Sequence, residues 1–190
     1  MTARRLDKGG RIDRSAPVDF TWDGNTLSGY AGDTLASALM ANGERVLGRS
    51  FKYHRPRGIM SAGVEESGAI VTVGEGARRE PNVKATLQEL YGGLCASGQN
   101  AWPNVRFDLG AVNGLFSRFF AAGFYYKTFM WPAAFWEKVY EPIIRRAAGL
   151  GSLSLQDDPD GYDKGFLHCD LLIIGGGPAG LAAALTAGES

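Results

Sequence analysis

Asp170-Leu171-Leu172-Ile173-Ile174-Gly175-Gly176-Gly177-Pro178-Ala179-Gly180-Leu181-Ala182-Ala183-Ala184-Leu185 is the stretch that decides how this chain is read. Its first five residues form a short apolar run of the kind that a parallel sheet buries on both faces. Gly175, Gly177 and Gly180 then give the G-x-G-x-x-G spacing, and residues 181–185 continue as strong helix formers. Each glycine has its own duty. Gly175 permits a tight turn, Gly177 lets the backbone approach a pyrophosphate, and Gly180 lets the helix pack closely on the strand. Pro178 suits a first helical turn, where its missing N–H costs nothing. The free N–H groups and positive dipole end of such a helix attract a diphosphate. Placed between strand and helix, the triplet has the context that a dinucleotide-binding turn requires. The expectation for residues 166–190 is therefore α/β: the first strand, glycine turn and helix of a Rossmann-type domain. These residues alone do not choose NAD over FAD, since both use this turn.

The fingerprint also asks for an acidic residue about twenty positions further on, to hold the ribose hydroxyl. The sequence runs only to Ser190, ten residues after Gly180. The expectation is that this is the front of a longer polypeptide, and that these 190 residues alone bind dinucleotide poorly and are inactive.

Upstream, Val18, Phe20 and Trp22 alternate with Asp19 and Thr21, the period of a half-buried strand. Asp23-Gly24-Asn25 is a turn, and residues 26–30 return as a second strand. Asp33 is placed to cap a helix over 34–41, whose Leu35, Ala38 and Leu39 share one apolar face before Asn42-Gly43 ends it. Strand, turn, strand, helix begins a small β-grasp unit, expected over residues 16–100. Ala69-Ile70-Val71-Thr72-Val73 reads as a strand by its β-branched content, residues 74–81 as a charged turn, and residues 82–90 as a further strand.

Residues 1–15 read as a polar, solvated arm, because Arg4, Arg5, Lys8, Arg11 and Arg14 are interleaved with Asp7 and Asp13. Twenty basic residues balance twenty acidic ones, so no net field draws the chain to nucleic acid or an anionic membrane. No stretch is long and apolar enough to span a bilayer. Cys95 and Cys169 lie far apart and make no disulfide framework, which points to a reducing, cytoplasmic setting. Cys169, just before an apolar strand, is expected to be a small buried hydrophobe. Residues 101–165 read as a connector. Within it, residues 116–140 hold eleven of the 21 aromatic residues, interrupted by Arg118, Lys127 and Glu137. Those rings pack on neighbouring domains or form a subunit interface, where aromatic anchors concentrate binding energy.

Three strings carry a resemblance: Gly48-Arg49-Ser50-Phe51-Lys52-Tyr53-His54-Arg55-Pro56-Arg57-Gly58, Phe124-Tyr125-Tyr126-Lys127-Thr128-Phe129-Met130-Trp131-Pro132, and the glycine turn. With them the chain resembles the N-terminal part of the α subunit of the heterotetrameric sarcosine oxidases. Its first unit is also similar to the ferredoxin-like domain of related amine and opine dehydrogenases, which hold a [2Fe–2S] cluster with C-x₄-C-x₂-C spacing and a distant fourth cysteine. Aligned on the strand at 70–73, those positions fall at Ser61, Glu66, Ala69 and, near the fourth, Thr86. None is cysteine, so the expectation is a β-grasp domain without a cluster, and no metal site.

The resemblance implies a flavoprotein complex that demethylates sarcosine oxidatively to glycine, with oxygen as acceptor and hydrogen peroxide as product. It implies FAD and FMN in the complex, tetrahydrofolate as one-carbon acceptor in a region absent here, and β, γ and δ subunits as partners. It places NAD on this chain, with Gly175, Gly177, Ala179 and Gly180 as the dinucleotide contacts, and it transfers no catalytic residue. His54 has no carboxylate at a telling spacing, so His54 and the basic residues around it are read as structural or interface groups. Two alternatives remain: an FAD-binding subunit of a related amine or opine dehydrogenase, and a non-catalytic assembly module.

Overall fold

The computed structural model describes residues 5–117, 131–147 and 151–189. The chain divides into two compact units, Met1–Asp158 and Pro159–Ser190. The first is built on a mixed five-stranded sheet. Strands β1 (Asp13–Trp22) and β2 (Asn25–Ala31) form an antiparallel hairpin. Its two-residue turn puts Asp23 and Gly24 at φ of 46° and 80°, the left-handed conformations that match strand twist. Helix α1 (Leu35–Ala41) follows, then a small separate pair, β3 (Gly48–Arg49) with β4 (Pro56–Arg57). Strands β5 (Ile70–Val73), β6 (Glu80–Lys84) and β7 (Cys95–Gly98) complete the main sheet in the order β2-β1-β7-β5-β6. Only the β1–β7 contact is parallel within this sheet.

The alternation in β1 buries Phe20 and Trp22 while Asp19 stays exposed. From α1, Leu35, Ala36, Ala38 and Leu39 join the same core as Val71, Val73, Leu94 and Ala96. Burying a side chain the size of Phe20 or Leu39 contributes about 1.5–3 kcal/mol. This is the β-grasp architecture expected for the first unit.

Three local expectations are corrected. The N-cap of α1 is Thr34, whose Oγ1 accepts from Ser37 N at 3.2 Å while Ser37 Oγ accepts from Thr34 N at 3.0 Å. Asp33 instead takes both ends of the Arg5 guanidinium, at 2.9 and 2.7 Å, together with Tyr30 N and Ser37 Oγ. Burial pushes the Asp33 carboxyl up, but these donors more than offset that and hold it below its ordinary value. The N-terminal arm is thereby tied down at Arg5, which also lies 5.2 Å from the Tyr30 ring centre, and β1 already begins at Asp13. Finally, the strand expected over 82–90 is β6 alone. The chain turns after Lys84, with Leu87 N bonded to Lys84 O, so that Gln88 O and Ala85 O can accept from Leu35 N and Ala36 N of α1.

Residues 101–117 pack on this unit, with Val105 in its core. Residues 118–130, which hold much of the aromatic stretch and most of its quoted string, lie outside the described residues. Beyond them come a 3₁₀ turn (Ala133–Phe135), a π-helical stretch (Trp136–Tyr140) that leads into helix α2 (Glu141–Ala147), and a segment held by Arg79, which donates to Ser152 O at 2.6 Å. In the second unit, helix α3 (Pro178–Glu189) is the one regular element described. No described helix is long and apolar enough to cross a membrane.

Candidate functional site

Three places carry the residues singled out above. At the glycine turn, Pro178 is the first residue of α3, and Leu181 N donates to Gly177 O at 2.9 Å, which starts the helical ladder from Gly177. Gly175 has φ of +110°, a conformation that side chains rarely adopt. A Cβ on Gly180 would sit 1.9 Å from Gly175 O, so turn and helix touch there without room for a methyl group. A Cβ on Gly177 would meet nothing within 4 Å. Ala179 is exposed on the first turn.

The run Asp170–Ile174 makes no strand pairing, and Leu171, Leu172 and Ile174 are exposed. This corrects the expected buried strand. A strand needs a neighbour for its N–H and C=O groups, and the second unit describes none. Cys169 is exposed for the same reason, not buried.

The basic string is a clamp inside the first unit. Arg49 reaches across to Val105 O at 2.9 and 2.6 Å and to His54 O at 3.2 Å. His54 does have a carboxylate, 54 positions away: Nδ1 lies 2.6 Å from Asp108 Oδ2. Asp108 Oδ1 also accepts from Trp102 N and Gly110 N. Burial raises the Asp108 carboxyl, but these donors bring it below its ordinary value. An ionised carboxylate only accepts, so Nδ1 of His54 carries the hydrogen. The ring fits because residue 110 is glycine; a Cβ there would lie 2.3 Å from it. A cleft of about 520 Å³ opens beside the pair, but Arg79 on its wall is bonded to Ser152, and Gln99 to Asn82. The distance in sequence between His54 and Asp108 left no signal for their pairing.

The third place is the loop over residues 59–69. Glu66 is 1% exposed and its carboxylate accepts from four backbone amides. Met60 N and Ser61 N reach Oε2 at 2.7 Å each; Ala69 N reaches Oε1 at 3.0 Å, and Gly68 N bonds the same atom. Burial alone would raise this carboxyl; the amides of Ser61, Gly68, Met60 and Ala69 overcome that and bring it to about 2. Thr86 Oγ1 donates to Gly63 O at 3.0 Å, and Ala85 N to Ala69 O at 2.9 Å. Ser61, Glu66, Ala69 and Thr86 are thus gathered on one loop and its neighbour. None offers a thiolate, and among the described residues no cluster of His, Cys, Asp and Glu could hold a metal ion. An iron–sulfur cluster does not fit this donor set.

The fold of the first unit is a β-grasp sheet, and no side chain of this loop offers a thiolate. Residues 15–101 match the model of the family described as "2Fe-2S iron-sulfur cluster binding domain". Over its whole length the chain is similar to sarcosine oxidase subunit alpha of Rhizobium meliloti (strain 1021), at 64% identity, which bears out the resemblance read from the sequence. It is also 35% identical over 182 residues to sarcosine oxidase subunit alpha of Corynebacterium sp. (strain U-96). The chain spans 19% of the first of these proteins and 14% of the second. A solved L-proline dehydrogenase from P. horikoshii overlaps 48% of this chain and 17% of its own, at 24% identity and a TM-score of 0.38.

Proposed function

We propose that this chain is the N-terminal portion of the α subunit of a sarcosine oxidase, an oxidoreductase complex that converts sarcosine to glycine with oxygen as acceptor. The observation that carries this reading is the 64% identity along all 190 residues. The segment's own contribution is to hold NAD and to help assemble the subunits. Gly177 and Ala179, at the mouth of α3, present backbone N–H groups to the pyrophosphate. Gly175 turns the chain there, and Gly180 seats the helix against the turn. Support for this comes from the positive φ at Gly175 and the close approach of turn and helix at Gly180. When bound, a dinucleotide at this turn supplies a nicotinamide or a flavin; this chain's residues supply only its seat. The flavins FAD and FMN, the folate acceptor, and the β, γ and δ subunits belong to the complex as a whole. The first unit, without cysteine ligands, serves as scaffold rather than as an electron carrier.

The test is to purify the full-length polypeptide with its companion subunits, identify the released nucleotide by mass spectrometry, and measure sarcosine-dependent peroxide formation. NAD release with peroxide formation supports the reading. FAD released from this polypeptide, with no oxygen consumption, transfers it to the dehydrogenase alternative. A complex free of nucleotide overturns the role of the glycine turn.

A further inference from the structure

We propose that Glu66 is an internal counter-anion that occupies the amide cradle of the lost cluster and so keeps the loop over residues 59–69 in a cluster-type conformation without metal. Four N–H groups, from Met60, Ser61, Gly68 and Ala69, converge on one buried carboxylate. Two of the four belong to Ser61 and Ala69, which stand at ligand positions in the C-x₄-C-x₂-C spacing. Glu66 stands at the ligand position between them. Its side chain therefore starts where a thiolate would start and ends among the amides.

An anionic cluster is stabilised by hydrogen bonds to its sulfurs. A loop shaped to give those bonds points its N–H groups inward, and they need an acceptor when the cluster is gone. A carboxylate supplies negative charge and two oxygens, enough to accept from all four. The surrounding contacts hold the cradle from outside: Thr86, near the fourth ligand position, bonds Gly63 O, and Lys84 Nζ bonds Val64 O.

Hydrogen exchange read by mass spectrometry on the full-length polypeptide tests this, with peptides from β1 as internal reference. In Glu66→Gln, which keeps the volume but puts an amide among four donors, exchange over residues 58–70 rises at least about tenfold while β1 is unchanged. In Glu66→Ala, millimolar formate slows exchange in that loop, and chloride at the same ionic strength does not. Glu66→Asp, with the charge on a shorter stem, recovers part of the protection. Wild-type exchange over 58–70 in Glu66→Gln overturns the proposal, whether or not the alanine variant folds. So does formate that protects wild type and Glu66→Ala equally.

Discussion

The closeness of turn and helix at Gly180 gives a sharp contrast between two substitutions in one helix. In Gly180→Ala the new methyl carbon lies 1.9 Å from Gly175 O, roughly 1.5 Å short of the 3.4 Å at which ordinary contact begins. The obstacle is a backbone carbonyl, which cannot rotate away as the end of a side chain can. The turn has to move outward, at a cost of about 1–3 kcal/mol by analogy with overpacked cores, and the amides at the helix mouth move with it. A misplacement near 1 Å is enough to lose a bound group whose hold depends on aligned donors. Gly188→Ala, eight residues along α3, meets nothing within 4 Å. There the methyl group only limits the unfolded chain and raises helix propensity, for a gain of about 0.5–1 kcal/mol. Gly177→Val adds bulk at the position where the backbone is to approach the pyrophosphate. The assay is nucleotide content per polypeptide by mass spectrometry, with thermal unfolding alongside. Gly180→Ala and Gly177→Val are expected to purify with less than about a tenth of the wild-type nucleotide, equivalent to about 1.4 kcal/mol of lost affinity or more. Gly188→Ala should retain it all. Full nucleotide content in both Gly177→Val and Gly180→Ala would refute the reasoning.

Acid stability should carry the signature of Glu66. Its folded pKa of about 2 lies below the ordinary 4.5, so the stabilisation is fully present above about pH 4.5 and is lost as pH falls toward 2. Urea unfolding between pH 5 and pH 2 should therefore show a steeper loss in wild type than in Glu66→Gln, and parallel curves would contradict this. Anaerobic incubation with ferrous iron, sulfide and thiol should leave the polypeptide without a cluster, because Ser61, Glu66, Ala69 and Thr86 offer no thiolate. Iron and acid-labile sulfide analysis reads the outcome, and two irons retained per chain would show the donor assignment to be wrong.

The alternation of Val18, Phe20 and Trp22, the Asp23-Gly24 turn and the apolar face of α1 could all be read from the sequence, because each is governed by local geometry. Side chains two apart share a sheet face, glycine accepts positive φ, and three- or four-residue spacing makes a helix stripe. The glycine spacing before α3 belongs to the same class, whereas the absence of cluster cysteines was implied by the family resemblance. Strand β7 gave no such signal. Cys95-Ala96-Ser97-Gly98 has no β-branched residue, and it is a central strand because β1 and β5 take it up on either side. The same holds for the bonds between Arg5 and Asp33, His54 and Asp108, and Arg49 and Val105, which join residues 28 to 56 positions apart. The resemblance also implied that no cluster ligand stands in this loop, but not that Glu66 turns its carboxylate into the amides around it. Local order follows from the chain's own periodicity, whereas the partner of a buried charge is decided only when distant segments are packed together and each desolvated donor must find an acceptor.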